Sequence, residues 1–246
     1  MSDGPSGGDV ATTAPLWRPE AGDRPTRRSG LDVDRIVDTA VGLADTEGLT
    51  ALSMRRVATA LGSGAMSLYT HVPGKAALVS LMYDAVLRGL YAEPPAGHWR
   101  ARLVAVARAN WDLYVRHPWA AQVGSGRHEP GPHLMTKYDV ELGAVDGLGL
   151  SEVQMDLVVT LVNGFVRGTV VDPQVAAGSD GGAAEDERWN APQPHRVLDP
   201  ARYPTAARVG PVAWRELGGY DAERSFEFGL ERLLDGIGVL ILDPAR

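Results

Sequence analysis

Apolar residues return every three or four positions along most of this chain and never alternate with polar ones long enough to suggest a strand. That period predicts an all-α protein. A first helix is expected after Asp32 as N-cap, with Ile36, Val37, Ala40, Leu43 and Ala44 on one stripe and Gly48 as its stop. A second follows Ser53, with Met54, Val57, Ala58 and Leu61 on one side, until Gly62-Ser63-Gly64 breaks it. A third runs from Ala65 to His71 and is stopped by Val72-Pro73-Gly74; a fourth runs from Lys75 to about Leu90, ahead of Pro94-Pro95. Further on, Trp99 to Arg116 is strongly periodic, Pro118 starts a short helix ending near Gly124, and a weaker period covers 131–148. Ser151 caps a long eighth helix through Val171, and a final helix spans about 222–242. Two stretches have no period: residues 1–29, rich in Gly, Pro, Ser and Thr, read as a disordered tail, and the Gly/Pro-rich 178–210 reads as a mobile loop.

The second and third helices are short and joined by a tight glycine turn. Such a pair can lay one helix across a DNA backbone while the next enters the major groove. The inner faces, Val57, Ala58, Leu61 and Leu68, supply the packing; the outer side offers Arg55, Ser67, Tyr69, Thr70 and Lys75 to bases and phosphates. The whole-chain net charge of -7 argues against a nucleic-acid partner. Its distribution argues otherwise: the 36 residues between Glu47 and Asp84 contain no acid, but do contain Arg55, Arg56, His71 and Lys75. Phosphate contacts are made by one face, not by the mean charge. Arg24, Arg27 and Arg28 end the tail, as an arm reaching phosphates or the minor groove, or as solvated residues.

The run Leu49 to Ala58, then Leu61-Gly62, then Ser67-Leu68-Tyr69-Thr70-His71-Val72-Pro73-Gly74-Lys75 through Leu78 resembles the DNA-binding domain of the tetracycline-repressor (TetR) family. The remainder is more loosely similar to that family's C-terminal domain, through a Trp near the start of the fifth helix, a His-Pro-Trp at its end and a long eighth helix. The resemblance implies a helix-turn-helix domain at 30–76 and a larger helical ligand-binding and dimerisation domain at 77–246. It implies a cytoplasmic homodimer that represses transcription from a palindromic double-stranded operator and is released by a small molecule. It places Arg55, Ala65, Met66, Ser67, Tyr69 and Thr70 on or beside the groove and Lys75 on a phosphate; Arg56, His71 and, from the basic end of the tail, Arg28 complete the DNA-binding candidates. Within that set, His71 suits capping or packing better than base reading, and Met66 suits either a thymine methyl or a gap. Ser63 departs from the family pattern, which has an apolar residue after the turn glycine.

In the larger domain, Asn110 sits among Val106, Ala107, Trp111 and Tyr114, and Asn163 and Arg167 interrupt the most apolar stretch of the eighth helix. Buried polar groups left unpaired cost about 1–3 kcal/mol, so something must satisfy them. A ligand, helix-to-helix hydrogen bonds and, for Arg167, an acid across the dimer are the alternatives. The ligand reading is a largely apolar cavity between the fourth, fifth, seventh and eighth helices, lined by Val86, Val106, Asn110, Trp111, Tyr114, Tyr138, Asn163 and Arg167.

Other chemistry is thinly represented. With no cysteine there are no disulfides or thiolate metal sites, which fits a reducing compartment. No apolar run suits a signal peptide or membrane span. His128-Glu129-Pro130-Gly131-Pro132-His133 has the wrong spacing for a zinc-protease helix, and its prolines forbid that helix. No cofactor, metal or catalytic motif is expected. A helical enzyme, or a partner-binding protein using the same cavity, remains the competing class.

Overall fold

The computed structural model describes residues 16–17, 31–124, 129–170, 199–217 and 221–243. These form ten helices and no strand: α1 (Val33–Glu47), α2 (Met54–Ala60), α3 (Ala65–Tyr69), α4 (Lys75–Val86), α5 (Trp99–Arg116), α6 (Pro118–Val123), α7 (Pro132–Gly143), α8 (Glu152–Val170), α9 (Pro204–Leu217) and α10 (Ala222–Leu242). None is long and apolar enough to cross a membrane.

The expected caps are present. Asp32 Oδ1 accepts from the Arg35 N–H at 2.8 Å and Ser53 Oγ from the Arg56 N–H at 3.3 Å. Ser151 and Gln154 cap α8 reciprocally: Ser151 Oγ accepts from the Gln154 N–H, and Gln154 Oε1 accepts from the Ser151 N–H at 2.9 Å. α2 ends in a Schellman turn, with the Gly62 N–H on the Thr59 carbonyl and the Ser63 N–H on the Ala58 carbonyl. The turn puts Gly62 at φ 66°, a region that favours glycine. Ser63 stands where such a turn usually makes an apolar contact back to the helix, and its hydroxyl is enclosed without a partner.

Four boundaries differ from expectation. α3 stops at Tyr69, two residues short of His71, with Thr70 as its C-cap. α4 stops at Val86, because Leu87–Leu90 form turns around Gly89 at φ 71°. α7 stops at Gly143, where Ala144 to Gly147 turn to bring Ala144 and Val145 into the core. Residues 204–210, read as loop, form the first half of α9: Pro204 suits a first helical position, Ala206-Ala207-Arg208 propagates the helix, and Pro211 is tolerated within it. Most of the expected loop, 178–198, lies outside the described residues, as do Val171, the expected end of the eighth helix, and most of the tail. Within the tail, Leu16 is buried and Trp17 Nε1 donates to the Pro130 carbonyl at 3.1 Å, so these two residues are docked and not free.

One apolar core joins the head, α1–α3, to the larger bundle through α4, which packs on α1 at one end and on α7 at the other. Two polar links reinforce the join. Asp45 Oδ1 on α1 receives Trp119 Nε1 at 2.7 Å and meets His117 Nδ1 at 2.8 Å. Asp84 on α4 accepts from the Leu134 N–H at 2.9 Å and so caps α7, whose own N-cap, Gly131, has no side chain. A Cβ at Gly131 would lie 2.3 Å from that carboxylate. Burial pushes the Asp84 carboxyl above its usual range, against the opposing pull of the Leu134 N–H.

Candidate nucleic-acid interface and ligand cavity

In the head, Val57, Ala58 and Leu68 are buried between the helices. Their burial turns the other side of α2–α3 outward. Arg55, Ser67, Tyr69, Thr70 and Lys75 are all exposed there, and Met66 is the most prominent apolar residue, 79% exposed. Thr70 Oγ1 donates to the Ser67 carbonyl at 2.6 Å, leaving its lone pairs outward. Lys75 Nζ spends one proton on the Leu49 carbonyl at 3.3 Å and keeps two. The Arg55 guanidinium makes no hydrogen bond or ion pair among the described residues, although its carbonyl accepts from Thr59 Oγ1 at 2.9 Å. Arg56 turns back to pair with Glu47 of α1. Ala65 and His71 are half-buried at either end of α3, and Arg28 lies outside the described residues.

The core domain places its predicted residues unevenly. Asn110, fully buried, gives Nδ2 to the Val106 carbonyl at 2.9 Å, to Glu141 Oε1 at 2.8 Å and to the Tyr91 hydroxyl at 3.1 Å. Asn163 mirrors it from α8, giving Nδ2 to the Val159 carbonyl at 3.1 Å and to Glu141 Oε2 at 2.8 Å. Both asparagines therefore make helix-to-helix bonds on one carboxylate. Glu141 is 1% exposed; it also accepts from the Tyr91 hydroxyl at 2.6 Å and pairs with Lys137, one turn earlier, at 2.7 Å. Burial lowers the Lys137 pKa, opposed by Glu141. Tyr91 is raised by burial, then by Glu141.

Tyr114 is buried against Tyr83, and both phenols are raised by burial. Arg167 Nη1 donates to the Gly124 carbonyl at 3.0 Å, a contact inside the protomer. Trp111 lies 4.5 Å from Phe226, ring centre to ring centre, on the α10 side; Val106 is buried and Val86 half-buried at the end of α4. Tyr138 stands apart, bonded near the surface to Asp156 Oδ1 at 2.7 Å. A cleft of about 40 Å³ opens between the Leu87–Tyr91 turns and α7, with Tyr91 and Lys137 in its wall.

Sequence reasoning misses Lys137, Glu141, Tyr91 and Tyr83. A signal exists for the first two: Leu134, Lys137, Glu141 and Ala144 form one helical stripe, apolar at both ends and charged in the middle. Tyr138 is one residue from the inward position, about 100° round the helix.

An all-helical chain with an exposed, acid-free helix-turn-helix joined through α4 to a polar-centred bundle is, as a class, a one-component DNA-binding regulator. Comparison with known proteins supplies the family. The pattern described as "Bacterial regulatory proteins, tetR family" matches residues 36–82, and "Tetracyclin repressor-like, C-terminal domain" matches residues 91–241. The HTH-type transcriptional repressor DrrR1 of Streptomyces coeruleorubidus is 40% identical over 247 residues, covering 95% of this chain and 87% of that one. The crystal structure of apo ActR from Streptomyces coelicolor matches with a TM-score of 0.73 at 27% identity, over 88% of this chain and 99% of that one. ActR in complex with actinorhodin matches at 0.72 and 28%, over 86% and 98%. The chain belongs to the TetR family. It is a ligand-responsive transcriptional repressor of that family, whose members are DNA-binding regulators rather than enzymes.

Proposed function

We propose that the chain works in the cytoplasm as a homodimer that holds a palindromic operator through the outer side of α2–α3 and lets go when a small organic molecule occupies the core between α4, α5, α7 and α8. The observation that carries this reading is the exposed set Arg55, Ser67, Tyr69, Thr70 and Lys75, on a stretch with no acidic residue between Glu47 and Asp84. Support for pairing comes from apolar residues exposed on neighbouring helices: Val153, Leu157 and Leu161 on α8, Phe228, Val239 and Leu242 on α10. On α8 they recur every four residues, the stripe of a helix that packs on another.

Release follows from geometry. A dimer reads two half-sites only if its recognition helices sit about 34–36 Å apart. A ligand that favours another separation weakens binding by its differential affinity for the two states. Here α4 is tied to the head by α1 and to the core by the Asp84 cap on α7, so a shift of α7 around a ligand moves the head. The polar groups of the core are assigned to binding and not to turnover. DNase I protection of the DNA upstream of the coding region tests the reading. Two protected half-sites about one helical turn, or a whole multiple, apart are expected; no protection at low salt overturns it.

A further inference from the structure

Around Arg167 the core domain has an unbalanced charge, and beside it Asn110 has an unanswered acceptor; together they describe the ligand. Resting on the reading of this core as the inducer site, we propose that the inducer is an aromatic organic acid with a free hydroxyl, its anionic group meeting Arg167 and its hydroxyl donating to Asn110 Oδ1.

Lys137 and Glu141 are paired at 2.7 Å and cancel. Arg167 is left with a neutral partner, the Gly124 carbonyl, and no acidic side chain within ion-pair reach among the described residues. The Gly124 it binds sits against two phenols, so that an added Cβ there would lie 2.8 Å from the Tyr83 hydroxyl and 3.4 Å from that of Tyr114. The Arg167 charge favours the ionised forms of both and opposes that of Lys137. The cluster therefore carries one net positive charge in partly desolvated surroundings, where a cation without a counter-ion is costly. An anion entering there restores neutrality, and a planar carboxylate suits the guanidinium fork.

Asn110 supplies the second requirement. Its Nδ2 faces the Val106 carbonyl and the Glu141 carboxylate, which only accept, so the amide cannot be turned over. Oδ1, fully buried, then has no donor. A ligand hydroxyl would provide one. Tyr91 and Lys137 border both the cluster and the small cleft of about 40 Å³ on its α7 side, so a ligand larger than a water must widen that cleft to enter. Tyr91 bonds to Glu141 and Asn110, and the Tyr83 and Tyr114 hydroxyls flank the Gly124 that Arg167 holds, so three aromatic rings border these groups and suit an aromatic skeleton.

Three probes separate these requirements: 6-hydroxy-2-naphthoate, its methyl ester and 2-naphthoate, each titrated into the full-length protein by calorimetry. The hydroxy acid is expected to bind at least about tenfold more tightly than the ester and several-fold more tightly than 2-naphthoate. Arg167→Gln should erase the acid-over-ester preference and Arg167→Lys should keep part of it, with helix content unchanged in both. An ester that binds as well as the acid, an acid that shows no saturable binding, or a folded Arg167→Gln protein that keeps the preference overturns the proposal. Operator affinity measured with each probe locates a failure. If the ester releases the operator and the acid does not, the core remains the inducer site and the acid class falls. If the acid binds through Arg167 and operator affinity does not change, the reading of the core as inducer site falls, and the proposal with it.

Discussion

In the head, every buried residue from Ile36 to Leu78 is apolar, and none of the ionisable side chains is buried. In the core domain and the α4 end facing it, five polar or charged residues are buried: Asp84, Asn110, Lys137, Glu141 and Asn163. The head thus separates its tasks. Apolar burial holds it together, and its outer side is free to meet a partner. The core uses the same side chains for cohesion and for the polar groups a ligand would meet. Substitutions should show this difference as a separation of stability from function in the head, and as their coupling in the core.

The largest effect is expected at Lys137. Lys137→Met leaves the Glu141 carboxylate buried without its cation and should cost about 3–5 kcal/mol in urea unfolding. Adding Glu141→Leu removes the stranded charge and should recover much of the deficit. A single-mutant cost below about 1 kcal/mol would break the comparison from the core side. On the head side, Arg55→Ala should weaken operator binding by about 1–3 kcal/mol while unfolding free energy stays within about 0.5 kcal/mol. Gly62→Ala forces a side chain into φ 66° and should cost about 1 kcal/mol of stability. Arg56→Ala removes only an exposed pair with Glu47 and should cost at most about 1 kcal/mol.

The smallest effect tests the link between the regions. Asp84→Asn keeps an acceptor for the Leu134 N–H and removes a carboxyl whose pKa is raised on folding. For such a group the folded state binds its proton more tightly. Stability from this site is therefore present below the unfolded value of 3.8 and is lost as pH rises through the folded value. Asp84→Asn should remove that decline, seen as a flatter pH dependence of unfolding in the mildly acidic range. An unchanged profile would show that Asp84 is not the group responsible.

This difference also explains what the sequence disclosed. The head's helices, caps and turn depend on neighbours a few residues apart: Asp32 with Arg35, Ser53 with Arg56, Gly62 with Thr59. Local spacing therefore exposes them. The core cluster joins Tyr91, Asn110, Glu141 and Asn163 from four parts of the chain, and spacing within one helix does not show what another brings. Asn110 and Asn163 stand out because each breaks an apolar stripe. Lys137 and Glu141 sit in a helix of weak period, where charged residues read as a solvated face and the aromatic ring of Tyr138 is more conspicuous. α9 is hidden in part by its prolines: Pro204 falls in the Gly/Pro-rich stretch read as loop although it begins the helix, and Pro211 is borne within it.

In the proposed mechanism, operator binding depends above all on the outer side of α2–α3 meeting DNA phosphates. Fluorescence anisotropy of a labelled upstream duplex, measured across a salt series for the wild type and Lys75→Ala, tests this directly. Operator affinity should fall steeply with salt in the wild type. The substitution should flatten the log–log slope by roughly one unit for each phosphate interaction removed, about two for a symmetric pair. Identical slopes and affinities for the two proteins would contradict the assignment of this face.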